Sequence, residues 1–414
     1  MKRRHPKTGE ELFAIMIKNC EGAPQGARRF SQLRDKFILK KFNEDGWSCV
    51  KSRMDPCLFI FTSPTKAKCF LLTYVDDCDS CGEKKEDLEY IANQFEIRFK
   101  IKKISSMFML GVKREMKTVN GVRTIELTQP DFIETTYLQF REHLPPSPPT
   151  TPFPPHEFLH LADPDPDEKE HKEVIKLGYQ RLCGCLLWAA RNCYPEISSG
   201  VHHLCKLMSK PTRRAWKCGL HTLAYLHGQK HRGIKFRSDG SARGSALTCY
   251  YDSSNKPDPS DSKAQYGYVI FFMNGPIIWS CRKHNHIGMS SSHNEYMALS
   301  HAARCIYWLR QLVSEMGFEH LIAPPTPTLG DNDAATTLSR EDLITPGNRF
   351  YVRDYHFVKE CVESGCICTR RVSTHDNVAD ILTKNGARQD IERLRPLLTG
   401  YGELLPEPEE PPLD

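Results

Sequence analysis

The sequence lacks any apolar run long enough to cross a bilayer, which excludes a helical membrane protein. Near the basic start, the apolar stretch "LFAIMI" at 12–17 is too short for a signal peptide, so the expected location is intracellular. A disulfide framework is also missing. The seventeen cysteines are odd in number and scattered through apolar segments, so most are expected to be reduced, buried small residues. "CDSC" at 78–81 has no second "CxxC" to complete a four-cysteine zinc site.

Acid is scarce in one place. Residues 179–237 hold eleven Lys and Arg against a single carboxylate, Glu196. A solvated helical face mixes signs, so this segment is expected to track phosphate backbone through Arg181, Arg191, Lys206, Lys210, Arg213, Arg214, Lys217, Lys230, Lys235 and Arg237. The alternative is a basic face that serves solubility.

What is present divides into five stretches. Residues 1–143 read as α+β, with a helical "ARRFSQLRDKFILKKFNEDG", strands "DPCLFIFT" and "KCFLLTYVD", and a helix "KEDLEYIANQFEI". Residues 144–178 begin with a run holding nine of the 28 prolines and then turn acidic, which reads as a linker. Residues 179–237 form a basic helical connection. Residues 238–400 begin with three short strands, "LTCYYD", "YGYVIFFM" and "GPIIWSCR", followed by a long helix, a strand "TPTLG", a strand "CICTRRV" and helical stretches, the last "NVADILTKNGARQDIERLRPLL". That order describes one mixed α/β domain. The acidic tail 401–414 is expected to be disordered.

Two groups of acids stand out. In "LLTYVDDC", Asp76 and Asp77 are adjacent at the end of a strand pattern, where Asp is disfavoured and like charges repel. Further on, Asp252 ends a strand, Glu295 lies in the first turn of the long helix, Asp331 ends a strand and Asp380 lies early in the last helix. Each has an ordinary reading: Glu295 in a capping box with Ser292, Asp331 as a helix cap, Asp380 at a helix N-terminus, Asp252 in a turn. Brought together, four acids would repel unless hard divalent cations sat between them.

The chain resembles the C-terminal part of the Pol polyprotein of copia-type LTR retrotransposons. "MDPCLFIF", "LLTYVDD", "FMLGVKRE" and "LTQPDFI" are similar to the second half of its reverse transcriptase. The segment 179–236 is similar to its connection. "YYDSSNKPDPSDSKAQYGYVIFFMNGPIIWSCRK", "SSSHNEYMALSHAA", "LGDNDAA", "RFYVRDYHFVKE" and "VADILTK" are similar to its ribonuclease H domain. The resemblance implies a partial reverse-transcriptase palm and thumb, followed by a ribonuclease H-like mixed five-stranded sheet with flanking helices. It places Asp252, Glu295, Asp331 and Asp380 on the family's four metal-binding acids, with two Mg²⁺ or Mn²⁺ ions as cofactors. It places Asp76 and Asp77 on the polymerase motif.

The implied function is hydrolysis of the RNA strand of an RNA–DNA hybrid, with single-stranded nucleic acid as a further partner and no membrane. The implied location is the cytoplasm, in virus-like particles, and/or the nucleus. Two other readings are an inactive or co-opted nucleic-acid-binding remnant, and one portion of a reverse transcriptase completed by another chain or other Pol products. The sequence departs from the family at "DSSN" after Asp252, where a second acid and a Trp are usual, and at Phe350 and Val352, which replace a His and an Asp. No early acid matches the third polymerase carboxylate: Asp35, Glu44, Asp45 and Asp55 fall in helix or turn contexts.

Overall fold

The computed structural model describes residues 3–4, 11–12, 25–75, 77–99, 101, 108–160, 167–239, 245–254, 256–340 and 351–404. It divides into two compact units, Met1–Ile104 and Ser105–Asp414. Asp76, Asn255 and Phe350 lie outside the described residues, as does most of the acidic tail. No helix among the described residues is long and apolar enough to cross a membrane.

In the first unit β1 (Arg3–Arg4) pairs with β2 (Glu11–Leu12). Helix α1 (Gly26–Glu44) precedes the antiparallel meander β3 (Ser48–Lys51), β4 (Leu58–Thr62), β5 (Lys68–Tyr74) and β6 (Asp77–Gly82), and α2 (Lys85–Phe99) follows. Side chains alternate across a strand, so Cys49, Phe59, Phe61, Cys69 and Leu71 share one face. Ile38 and Phe42 of α1, and Ile91 and Phe95 of α2, recur every fourth residue and close on that face.

The second unit begins with β7 (Phe108–Met109), β8 (Val112–Val119) and β9 (Val122–Thr128), then α3 (Pro130–Phe140). Helices α4 (Glu168–Lys176), α5 (Tyr179–Asn192), α6 (Ser198–Lys206) and α7 (Arg213–Gln229) follow. Strand β10 (Ile234–Arg237) then returns to pair with β9. The Pro-rich run does not divide the chain as a linker would, since the two units separate at 104/105. Proline keeps residues 144–160 out of helix and sheet, but Phe153 and Leu159 are apolar and fully buried in the core of α5, α6 and α7.

The remaining strands are β11 (Leu247–Ser253), β12 (Gln265–Phe272), β13 (Gly275–Lys283), β14 (Thr326–Gly330) and β15 (Ile367–Arg371). They form a five-stranded mixed sheet in the order β13-β12-β11-β14-β15. The first three are antiparallel and the last two join in parallel. Cys249 and Tyr251 point to the face covered by α8 (Ser291–Glu315), α9 (Asp333–Leu338) and α10 (Val352–Glu363). Tyr250, Val269 and Phe271 point to the opposite face, under α11 (Asp380–Thr383) and α12 (Arg388–Leu398). The single last helix expected over 377–398 is therefore two. Asn385 breaks it, donating its side-chain amide to Glu157 O (2.7 Å) while its carbonyl accepts the His156 N–H (2.8 Å).

Candidate metal centre and nucleic-acid surface

Asp252 sits in β11, with one residue left before the strand ends, and is almost fully buried. Its cross-strand partner is Gly267, where a Cβ would lie 2.7 Å from Leu382 Cβ. The missing side chain lets α11 approach the sheet, and Thr383 Oγ1 donates to Asp252 Oδ2. Asn377 Nδ2 donates to Tyr251 O (3.0 Å) and anchors the approach to α11. Asp331 follows β14 directly. The preceding Gly330 is required because a Cβ there would meet the Tyr251 ring at 2.3 Å, so β14 and β11 end side by side.

Glu295 projects from the first turns of α8 onto the same point, and its Oε1 accepts the Ser253 N–H at 3.2 Å. The capping readings fall to neighbouring residues. Ser290, not Ser292, caps α8 by accepting the His293 N–H, and Asn332, not Asp331, caps α9. Relieved of that role, one carboxylate oxygen each of Asp252, Glu295 and Asp331 lies within 4.8 Å of the others. Asp380 opens α11, and Lys384 links it to the group: its Nζ is 2.8 Å from Asp380 Oδ1 and 3.4 Å from Asp252 Oδ1. Thr383 and Lys384 were not singled out in the sequence. The available signal was the i,i+4 spacing of Asp380 and Lys384 in "VADILTK".

The electrostatics follow from burial. Burial raises Asp252 above its ordinary value, Asp331 adds to this, and Lys384 and Thr383 oppose it. Glu295 is pushed up to about 9 by burial, then by the Asp252 and Asp331 carboxylates. Asp380 is pushed up to about 7 by burial and by Asp252, against the pull of Lys384. Burial alone would lower Lys384, but the Asp252 and Asp380 carboxylates outweigh it and hold the ammonium above its ordinary value. The donor set fits a hard divalent cation. It is all oxygen, and Glu295 Oε2 is buried with no hydrogen-bond partner among the described residues.

The polymerase motif lies in the other unit. Strands β5 and β6 form a hairpin whose last pair is Tyr74 with Asp77, with Val75 in the turn. Val75 has φ +54°, an outlier for a β-branched residue, and the buried Arg34 donates from Nη1 to its carbonyl at 2.8 Å. Asp77 is thus the first residue of the return strand. The four early acids are in the contexts expected: Asp35 and Glu44 within α1, Asp45 at its C-cap bonded to Lys41 and Tyr90, and Asp55 accepting the Cys57 N–H. Among the described residues, no acidic group that could hold a metal includes Asp77. The cysteines of "CDSC", Cys78 and Cys81, are the exposed ones among the described cysteines, all of which are free.

The basic segment needs a correction. Six of its ten named cations are paired with acids from outside the segment, which composition alone could not reveal. Lys206 is buried against Asp258 (3.1 Å), Lys235 is 3.2 Å from Glu126, and Arg237 is 2.7 Å from Asp239. Arg213, Arg214 and Lys230 pair with Glu173, Glu157 and Glu134. The positive stripe read from the sequence is therefore largely neutralised in the fold. Lys210 is exposed, and Arg181, Arg191 and Lys217 are exposed with no ion pair among the described residues. The segment's own acid, Glu196, is buried with Arg395 Nε 2.8 Å away.

No family model matches the chain. It is similar to the retrovirus-related Pol polyprotein from transposon RE2 of Arabidopsis thaliana, 28% identical over 81% of this chain and 22% of that protein. It is also similar to the retrovirus-related Pol polyprotein from transposon TNT 1-94 of Nicotiana tabacum, 24% identical over 94% of this chain and 28% of that protein. Among solved structures, the N-terminal RNase H domain of Mycobacterium tuberculosis rv2228c is similar at 16% identity, covering 35% of this chain and 96% of that one, with a TM-score of 0.25. An RNase H1 isolated from compost, LC11, is similar at 15% identity over 35% of this chain and 97% of its own, with a TM-score of 0.27. The chain spans only 22–28% of the length of the curated relatives it matches. Over that span it is a homologue of the Pol polyproteins of copia-type retrotransposons.

Proposed function

We propose that this chain is a metal-dependent ribonuclease that hydrolyses the RNA strand of an RNA–DNA hybrid, and that its polymerase hairpin is not a working active site by itself. The observation that carries this is the convergence of Asp252, Glu295 and Asp331 within 4.8 Å, from a strand, a helix and a second strand end. Three buried or half-buried carboxylates cannot all ionise side by side without cations, and a purely structural role would leave them better replaced by apolar groups. Asp252, Glu295, Asp331 and Asp380 would hold Mg²⁺ or Mn²⁺, two ions in the full reading, which supply Lewis-acid stabilisation of the phosphodiester and an activated water.

The chain's own residues set the geometry. Thr383 and Lys384 fix Asp252, the Ser253 N–H fixes one Glu295 oxygen and leaves the other free, and Lys384 keeps Asp380 beside the group. Arg181, Arg191 and Lys217 offer sequence-independent contacts to the nucleic-acid backbone, for hybrid and single strands alike.

The test is Asp331→Asn in the full chain, assayed on a labelled hybrid with Mg²⁺ or Mn²⁺. Cleavage should be lost while the circular dichroism spectrum and melting are retained. Wild-type cleavage by this variant would overturn the site, and absence of cleavage by the unmodified chain would favour the remnant reading.

A further inference from the structure

A cavity of about 420 Å³ opens beside the acid cluster, bounded by the Pro-rich segment on one side and by α11 and α12 on the other. Its size suits one small polar ligand. Phe158, Ile391 and Leu394 give it an apolar lining, and Lys256, Arg393 and His156 contribute polar and cationic groups. Asp380 and Lys384 lie in its wall, so it is continuous with the candidate metal centre.

The wall made by the Pro-rich segment is held in place. His156 is in the left-handed region (φ +57°), its N–H is bonded to Asn385 O, and Asn385 returns a hydrogen bond to Glu157 O. The charge balance favours an anion. The two acids lining the cavity are already engaged, Asp390 with Arg393 (3.1 Å) and Asp380 with Lys384 (2.8 Å). Lys256 is exposed, has no carboxylate partner among the described residues, and its Nζ stands 5.0 Å from the Phe158 ring centroid. Arg393 Nη1 makes no hydrogen bond among the described residues, so that guanidinium has donor capacity to spare.

We propose that this cavity binds one nucleotide unit, with its phosphate on Lys256 and Arg393 and its base against Phe158, Ile391 and Leu394. The inference rests on the proposed ribonuclease function only for the idea that the nucleotide belongs to the strand being cut. The unit comes either from the strand leading away from the acid cluster or from a free mononucleotide, which have the same chemistry.

Adenosine 5′-monophosphate is the direct probe, titrated calorimetrically into the full chain in the presence of chelator, so that no metal-centre ligand contributes. The unmodified chain should bind it saturably. Lys256→Gln and Arg393→Gln should each weaken it about tenfold, and Phe158→Ala should weaken adenosine 5′-monophosphate but not inorganic phosphate. Lys256 is exposed, so its variant tests the site even if the others fold poorly. Asp331→Asn should bind the probe as the unmodified chain does, which separates this site from the metal centre: wild-type cleavage by that variant, or no cleavage by the unmodified chain, with probe binding intact would sink the ribonuclease reading alone. In hybrid cleavage, a strand nucleotide predicts a raised KM with little change in kcat for Lys256→Gln, and a free nucleotide predicts neither. Absence of saturable binding, or equal binding by Lys256→Gln and Phe158→Ala, would overturn the proposal.

Discussion

The Lys384 ammonium lies 2.8 Å from Asp380 Oδ1, and the same nitrogen reaches Asp252 Oδ1 at 3.4 Å. One side chain thus ties the acid that opens α11 to the acid buried in β11. In metal-free protein, Lys384→Gln should move the Asp380 titration above about 7, because the cation opposing its upward shift is gone. Carboxyl-carbon NMR across pH would follow it, and an unmoved midpoint would mean that Lys384 does not act on Asp380.

Stability should depend on pH in a direction opposite to that of a salt-bridged acid. Glu295 is raised from an ordinary 4.5 to about 9, and Asp380 from 3.8 to about 7. A raised carboxyl holds its proton more tightly folded than unfolded, so its contribution is complete below the unfolded value and is lost as pH climbs to the folded one. With chelator present, the unfolding free energy of the second unit should fall between pH 5 and 9, by about 1.4 kcal/mol per pH unit for each such proton. Mg²⁺ should restore stability most at the high end of that range. A flat profile in denaturant titrations would contradict the burial argument.

Binding to hybrid should weaken with salt, but through fewer residues than the composition suggests. Replacing Arg181, Arg191 and Lys217 by Gln should reduce the slope of log K against log salt by about 0.7–0.9 for each phosphate that is no longer neutralised. Replacing the paired Arg213 and Arg214 should reduce it less. If the slope did not respond to the first set, the basic segment would serve solubility instead.

The pair Glu196–Arg395 sits in the interior, with the Glu196 side chain wholly buried. Arg395 also donates to Gln229 Oε1 and to Arg232 O, each at 2.9 Å. Arg395→Ala would strand a buried carboxylate, at a cost of about 3–5 kcal/mol. Urea unfolding would register it, and a loss under about 1 kcal/mol, the range of a solvated pair, would show that water reaches Glu196.

Primer extension should be absent from the purified chain. Among the described residues Asp77 belongs to no group of three acids that could hold a metal ion, and two-metal phosphoryl transfer needs such a set. Asp77→Asn should accordingly leave hybrid cleavage unchanged. Incorporation of a labelled nucleotide would refute this.

Most of the element order is legible in the residues alone. The short apolar runs "LTCYYD" and "YGYVIFFM" pointed to strands, whose odd and even residues face different layers, and the fourfold spacing in "ARRFSQLRDKFILKKF" pointed to a helix with one buried stripe. The sequence also set apart the four acids, because carboxylates at the ends of apolar segments are conspicuous.

Tertiary structure decided what those residues meet. Whether Asp331 caps a helix or faces Asp252 depended on Asn332 taking the cap and on Gly330 fitting under Tyr251. The acid-poor stretch 179–237 looked uncompensated because its partners, from Glu126 to Asp258, lie elsewhere in the chain. The proline-rich run looked like a linker because proline removes backbone donors, which is a local property. Burial of Phe153 and Leu159 is a long-range one. Local periodicity and spacing are written along the chain, whereas charge pairing, burial and the closing of a cavity depend on residues that only folding brings together.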